Sequence, residues 1–237
     1  MDQGCGRRVR AAEDSFYSML SASAITELHD SETRAAHRIA LASLPLPRDP
    51  WLAMVASQHR ANFELWHIED LARDPQATDT DLAQVKRRID RTNQLRNDLA
   101  EQLDRFLLDE LAPRSLPHQA AALHSESPGL MIDRLSILSL KLFHTREEAE
   151  RTNAPAGHAE RNQARLTVLA EQRSDLAQCL DALWAETLAG KRRFKIYRQL
   201  KMYNDPSLYP KLYRQGAKPA KRRRDHLSAL RFLRCLL

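Results

Sequence analysis

Apolar residues recur at helical spacing through most of the chain. Placed at about 100° per residue, the apolar side chains of the segment 51–73 share one face, which we predict to be core. These side chains are Leu52, Val55, Phe63 and Trp66. The segment 130–152 is apolar nearly all round, which is typical of a central helix. No β-branched run bounded by turn residues occurs, so the pattern predicts an all-α protein without a sheet.

Proline and capping residues predict where the helices begin and end. Asp49 before Pro50, like Ser127 before Pro128, has the order of an N-cap followed by proline at the first helical position. The pair Thr78 and Asp81 has the spacing of a capping box, and Gly190 is a stop signal. We therefore predict helices over these ranges: 12–42 (one or two helices), 51–73, 80–112, 128–152, 158–189 and 191–203.

The chain contains an internal repeat with a shift of 77 residues. At this shift, 65–72 lies over 142–149 and 96–104 lies over 173–181. One helical hairpin cannot bury its apolar stripe alone, so two copies should pack together. The repeat predicts an antiparallel four-helix bundle. We predict an N-terminal segment and helix at 1–42, the helical bundle at 43–213 and a basic tail at 214–237. Within the bundle, the repeat halves are 50–112 and 127–189, and a further helix follows at 191–203.

Charge is distributed unevenly along the chain. The net charge is +6, yet the segment 191–237 holds fifteen Lys or Arg against two acids. The rest of the chain is therefore net negative, and such a tail indicates an acidic partner. The segment 218–237, which begins at Lys218, places a basic cluster ahead of apolar residues and favours an anionic membrane surface. No groove-reading motif accompanies the basic residues, so nucleic acid is not expected as a partner.

Composition predicts a cytoplasmic location, with peripheral contact to the inner membrane through the tail. No apolar run is long enough to span a bilayer, and the first residues lack the apolar core of a signal peptide. The three cysteines, Cys5, Cys179 and Cys235, lie far apart and match neither a disulfide framework nor a zinc motif.

Several polar residues fall on the predicted apolar faces, where they need partners. The repeat pairs Asp70 with Glu147 and Arg96 with Arg173. We therefore predict one structural ion pair in each half, Asp70 with Arg96 and Glu147 with Arg173. The repeat mates His67 and His144 are interpreted as satisfied histidines near the helix edge.

Inward polar residues without a counterpart in the other half are better candidates for a ligand site. Scaffolding alone does not require the two halves to differ at these positions. The full set of predicted ligand-binding residues is His59, Asn62, Glu69, Arg73, Asn93, Asp133, Arg134, Lys141, Lys201 and Asn204.

No motif predicts a resident cofactor. Glu64 and His67 have the Glu-x-x-His spacing of di-iron bundles, but the second copy required by such a site is missing. The carboxylates Glu69, Asp70 and Asp90 loosely resemble the acids with which all-helical nucleotide pyrophosphohydrolases hold Mg²⁺, although the full pattern is missing. The helix start at 125–129 could instead present free amides to an anion.

Four motifs in order carry a family resemblance. They are HRANFELWHIEDLARDP (59–75), IDRTNQLRND (89–98), SESPG with IDRLSIL (125–138) and YRQLKMYNDP (197–206). Over about 15–213 the chain resembles the bacterial family called domain of unknown function 4254. Ser127 stands where the family pattern has Thr, and Tyr209 where it has Asn. The resemblance implies proximity to genes of envelope polysaccharide synthesis, and a glycosyltransferase partner.

Three functions follow as alternatives, and they leave open whether the chain is an enzyme. The first is an accessory protein of cell-envelope polysaccharide synthesis that binds a phosphorylated sugar or nucleotide-sugar between helices. In it, Arg73, Arg134 and Lys201 meet the phosphate, Asn62, Asn93 and Asn204 meet hydroxyls, and Glu69 and Asp133 orient the cations. The second is a Mg²⁺-dependent phosphohydrolase or transferase that uses Glu69, Asp70 and Asp90. The third is a purely structural helical adaptor.

Overall fold

The computed structural model describes residues 20–198, and most of them are helical, which confirms the all-α prediction. The helices are α1 (Ala22–Ala36), α2 (Pro50–Leu71), α3 (Asp79–Leu111), α4 (Pro128–Glu150) and α5 (His158–Leu188). Short 3₁₀ turns occupy Leu41–Ser43 and Ala112–Arg114. Across this described range, none of the helices is both long enough and apolar enough to cross a membrane.

Two helical hairpins and one further helix make up this part of the chain. Helix α2 packs along α3, and α4 packs along α5, as the repeat predicts. Helix α1 lies against α2, α4 and α5. The predicted central helix is α4, and it touches each of the other four helices.

The hydrophobic core is built from all five helices. Its fully buried side chains include Ile25, Val55, Leu103, Leu107, Ile132, Leu135 and Leu180. Burying each aliphatic side chain of this size contributes roughly 1.5–3 kcal/mol. A second, smaller core joins α2 to α3 and contains Leu65, Ile68, Val85 and Ile89.

The helix starts predicted at Asp49, Thr78 and Ser127 are confirmed, though the stabilising contacts differ. The Asp49 carboxylate accepts a hydrogen bond from the Leu52 N–H at 2.9 Å. Thr78 and Asp81 form the complete capping box. Ser127 is the N-cap residue of α4, but its side chain makes no capping hydrogen bond to the backbone of that helix. Instead, the Asp104 carboxylate of α3 accepts from the Gly129 N–H at 2.6 Å.

The predicted helix 191–203 is wrong over its described part. Helix α5 ends at Leu188, and Gly190 follows it with a φ of 70°. Arg192–Arg193 then form strand β2, which pairs in parallel with β1 (Ala122–Leu123). The pair also corrects the expectation of no sheet; two residues are too few to leave a period-2 pattern in the sequence.

Tertiary contacts explain why the chain leaves the helical path there. The Arg193 guanidinium donates to Ala121 O at 2.9 Å, and Phe194 is buried at 2% exposure in the core. The remaining predicted positions of that helix, 199–203, lie outside the described residues, as do 1–19 and the basic tail.

Candidate functional site

Three helices run parallel through the centre of the molecule. His29 of α1 stacks on His59 of α2, and eight residues farther along, His37 meets His67. In the same way, His59 contacts Ser136 of α4, and His67 contacts His144. Because residue numbers rise together along each pair of helices, α1, α2 and α4 point in one direction.

The repeat mates therefore face each other. His59 and Ser136, like His67 and His144, are 77 residues apart, and each pair is in contact. Mates that touch at two levels along parallel helices fit a pseudo-twofold axis that runs between α2 and α4.

A chain of hydrogen bonds lies buried between these helices. The Thr33 hydroxyl donates to His29 O at 2.8 Å, so it accepts from His59 Nε2 at 2.9 Å. His59 Nδ1 then accepts from Ser136 Oγ at 2.8 Å. This assignment requires a neutral imidazole. Burial, followed by the neighbouring Arg60 charge, lowers the pKa of His59 to about 3, which agrees with it.

The chain continues to a buried carboxylate. Asn62 Nδ2 donates to Ser136 Oγ and to Asp133 Oδ1, each at 3.0 Å, and Gln58 Nε2 donates to the same carboxylate oxygen. Arg96 Nε lies 3.8 Å from Asp133 Oδ1. Burial raises the pKa of Asp133, while the Arg96 charge and the two amides oppose that rise. We call this set the Asp133 network.

A histidine cluster lies at the next level of the same three helices. His37, His67 and His144 each offer one ring nitrogen, and these nitrogens lie within 4.8 Å of one another. His37 Nδ1 donates to Thr33 O at 2.8 Å, which joins the cluster to the hydrogen-bond chain described above. His144 Nδ1 donates to the Glu147 carboxylate at 2.9 Å.

Aromatic rings enclose the cluster. Phe143 stacks on His37 with centroids 4.4 Å apart, and Trp66 stacks on His144 at 4.8 Å. Burial, and after it the charges of neighbouring histidines, lowers the pKa of both His67 and His144 below the ordinary value of 6.5, although the nearby carboxylates and the hydrogen bond from His144 to Glu147 oppose this. Both imidazoles are therefore mainly neutral at pH 7.

A cleft between α1, α4 and α5 carries three guanidinium groups. Its lining residues are Asp30, Thr33, Arg34, Ser139, Leu142, Phe143, Arg146 and Arg173. Arg173 is held in place, since it donates to Asp30 at 2.7 Å and to Ser139 Oγ at 3.3 Å. Asp30 is the single carboxylate in this lining, so the cleft is net positive. We call it the arginine cleft.

The structure brings together a minority of the predicted ligand residues. His59, Asn62 and Asp133 meet in the Asp133 network. The others are scattered. Glu69 is buried, with its carboxylate 4.0 Å from the exposed Arg73, and Arg134 is exposed and pairs with Glu126. Asn93 on α3 and Lys141 on α4 are partly buried, and Lys201 and Asn204 lie outside the described residues.

Both predicted structural ion pairs are wrong. Asp70 pairs with Arg73 one turn along its own helix, at 2.6 Å, and Glu147 pairs with His144 in the same way. Side chains at i and i+3 can reach each other without any packing between helices. The two carboxylates therefore pair with these local partners.

The arginines find partners elsewhere. Arg96 turns to Asp133, and Arg173 turns to Asp30 of α1, a helix outside the repeat.

Two further predicted sites fail on geometry. In the described part of the chain, Glu69, Asp70 and Asp90 do not converge as a metal-ligand set. Asp90 instead pairs with Lys86 on α3. At the start of α4, the Gly129 N–H is not free for an outside anion, because it donates to the Asp104 carboxylate.

Helix α1 supplies the residues that the sequence prediction missed. His29, Thr33 and His37 follow one another at intervals of four and form one stripe. That spacing was the available signal, but α1 has no counterpart in the repeat. Gln58 and Ser136 were missed as well.

Comparisons with known proteins bear on the chain from α2 onward. A family model described as "Protein of unknown function (DUF4254)" matches residues 52–196, more than half of the chain. No curated protein and no solved structure matches it. The match excludes α1, so the histidine cluster and the arginine cleft each combine residues from inside and outside the matched segment.

Proposed function

This chain belongs to the DUF4254 family, whose description states no activity, and we propose from the geometry that it binds a small anionic ligand in the arginine cleft. The ligand class is a phosphorylated sugar or a nucleotide-sugar. The observation that carries the proposal is the convergence of Arg34, Arg146 and Arg173, from three different helices, on one cleft.

The chemistry of the lining matches a phosphate ester. A guanidinium presents paired N–H donors that fit phosphate oxygens, and such charge-assisted bonds are about twice as strong as neutral ones. Asp30 and Ser139 hold Arg173 in one orientation, so less side-chain entropy is lost on binding. Leu142 and Phe143 supply the apolar part of the lining.

The ligand class differs little from the sequence-based hypothesis, but its place in the fold differs. Arg73 and Arg134, two of the three predicted phosphate residues, are exposed and already paired with carboxylates. The arginine cleft instead uses α1 and α5. The Asp133 network lies behind it and supports the shared helix α4 through Asn62 and Ser136.

The biological setting is part of the same proposal. We place the protein in the cytoplasm as an accessory to cell-envelope polysaccharide synthesis, next to a glycosyltransferase. The support is chemical: glycosyltransferases consume nucleotide-sugars, which carry the anionic group and the hydroxyls that this cleft can meet. Contact of the segment 218–237 with an anionic membrane surface belongs to this setting, and that segment lies outside the described residues.

Calorimetry on the full chain tests the ligand proposal. The panel comprises UDP-glucose, GDP-mannose, glucose 1-phosphate and inorganic phosphate. We expect at least one phosphorylated sugar to bind, and Arg146→Ala to weaken that binding 10- to 100-fold, since a hydrogen bond to a charged group contributes about 1.5–3 kcal/mol.

The matched control is Arg88→Ala, an exposed arginine on α3 away from the cleft. It should bind like the parent chain. Absence of binding across the panel, or equal affinity in Arg146→Ala and Arg88→Ala, would overturn the proposal and leave the adaptor alternative.

A further inference from the structure

The histidine cluster has the composition of a metal site. Three imidazoles from three helices converge, with their nitrogens within 4.8 Å. Around a tetrahedral zinc ion, with Zn–N bonds of 2.0–2.1 Å, neighbouring ligand atoms are about 3.4 Å apart. Closing that difference needs a shift of about 1 Å per ring, which a small χ rotation supplies without moving the helices.

Two of the three rings make a further hydrogen bond of the kind that metal-bound histidines make. Metal-bound histidines donate their other N–H to a carboxylate or a backbone carbonyl, which fixes the tautomer and aims the free nitrogen. His37 does this with Thr33 O, and His144 does it with Glu147. In both rings Nδ1 is thereby the donor, and Nε2 carries the lone pair that a metal would take.

One of these nitrogens has no other use. His144 Nε2 is buried and has no hydrogen-bond partner among the described residues. Leaving a buried acceptor without a partner destabilises the folded chain. Simple aromatic packing does not recover this cost, whereas coordination of a cation would.

From these observations we infer that His37, His67 and His144 bind one divalent transition-metal ion of the zinc class, with a fourth position open to solvent. Neutral imidazole suits Zn²⁺, Cu²⁺ and Ni²⁺, and does not suit Mg²⁺ or Ca²⁺, which take oxygen ligands. Three protein ligands are the number found in sites that keep an open coordination position. His37 is exposed, so the ion would be reachable from water.

The surroundings favour a cation. The carboxylates of Asp70 and Glu147 are close enough to act on the His67 ring, and both are negative. Phe63 and Trp66 pack edge-on or face-on against the cluster and limit access of water on the buried side. The inference is independent of the proposed ligand, because none of the three histidines lines the arginine cleft.

Zinc titration of the full chain, without an affinity tag, tests the inference. The protein is first stripped with a chelator and then titrated with Zn²⁺ in the calorimeter. A background with Cys5→Ser, Cys179→Ser and Cys235→Ser removes the three thiols of the chain as competing ligands. We expect one ion per chain with a submicromolar dissociation constant, and X-ray absorption showing imidazole nitrogens at about 2.0 Å.

Variants separate the cluster from adventitious binding. His37→Ala, at an exposed position, should keep the fold by circular dichroism and weaken Zn²⁺ binding at least 100-fold, as should His67→Ala. His118→Ala removes an exposed histidine far from the cluster along the chain, and its affinity should equal that of the parent. Failure to bind zinc, or undiminished binding in both His37→Ala and His67→Ala, would overturn the inference.

Discussion

At the scale of single residues, burial decides how much an ion pair contributes to the stability of the fold. Arg60 and Glu32 expose only 15% and 11% of their side chains. Arg60 donates twice to Glu32, and once each to Leu44 O and Pro45 O. One guanidinium thereby joins α2 to α1 and to the connector between them. The pair Arg151–Glu148, in contrast, is about 45% exposed at both partners.

Arg60→Ala should therefore destabilise the fold by about 2–4 kcal/mol, since it leaves the Glu32 carboxylate and two carbonyls in a poorly hydrated place without donors. Urea denaturation measures this loss. Arg151→Ala is the control, and it should change the free energy of unfolding by less than about 0.5 kcal/mol. Equal effects of the two substitutions would contradict the prediction.

At the scale of elements, the start of α4 depends on α3. A Cβ atom at Gly129 would lie 2.2 Å from Ala100 O, so only glycine allows the two helices to approach this closely. The approach brings the Asp104 carboxylate against the Gly129 N–H and the Ser127 hydroxyl. Burial raises the pKa of Asp104 to about 6, although both hydrogen bonds oppose the rise.

The raised pKa of Asp104 makes the free energy of unfolding depend on pH. Below about pH 4, Asp104 is protonated in both the folded and the unfolded chain. Between about pH 4 and pH 6 the unfolded chain loses this proton first, so the contribution of Asp104 to stability falls as pH rises, by about 3 kcal/mol in all. Asp104→Asn lacks this titration. The difference in unfolding free energy between parent and variant should therefore shift by that amount from pH 4 to pH 7, in favour of the variant. A difference independent of pH would refute the assignment.

At the scale of the whole molecule, the three parallel helices enclose two titratable rings. His29 and His59 are fully buried and stacked, with centroids 4.6 Å apart. Burial, and after it the neighbouring charges, lowers the pKa of both. Neither ring nitrogen of His29 has a hydrogen-bond partner among the described residues.

Acid should therefore destabilise the protein through these two buried histidines. As pH falls below 6.5, the histidines bind protons in the unfolded chain but stay neutral in the folded chain. Each of the two then lowers the free energy of unfolding by about 1.4 kcal/mol per pH unit. Asp104 opposes part of this loss between about pH 4 and pH 6.

His29→Phe keeps the stacked ring and removes one titration. It should lower the slope of unfolding free energy against pH by about 1.4 kcal/mol per pH unit and stabilise the chain at pH 7. An unaltered slope in His29→Phe would show that His29 does not titrate on unfolding.

Local signals were enough to predict much of the fold. Asp49, Thr78 and Pro128 marked helix starts correctly because caps and proline act within one turn of the chain. Apolar periodicity predicted the two hairpins and the central position of α4 for the same reason. The motifs that carried the resemblance lie mainly on these helices, and the family assignment is confirmed.

Such local signals do not predict which side chains of different helices pair with each other. Arg96 and Arg173 were correctly placed on inward faces, yet their partners, Asp133 and Asp30, depend on how the helices rotate and slide against one another. The 3.6-residue period determines which residues share a face, and it carries no information about which residues of another helix stand opposite. The sequence by itself therefore determined the helices, their caps and the repeat. Only the tertiary structure decided that α1 would bring His37 to His67 and His144, because three separate helices meet there at one level.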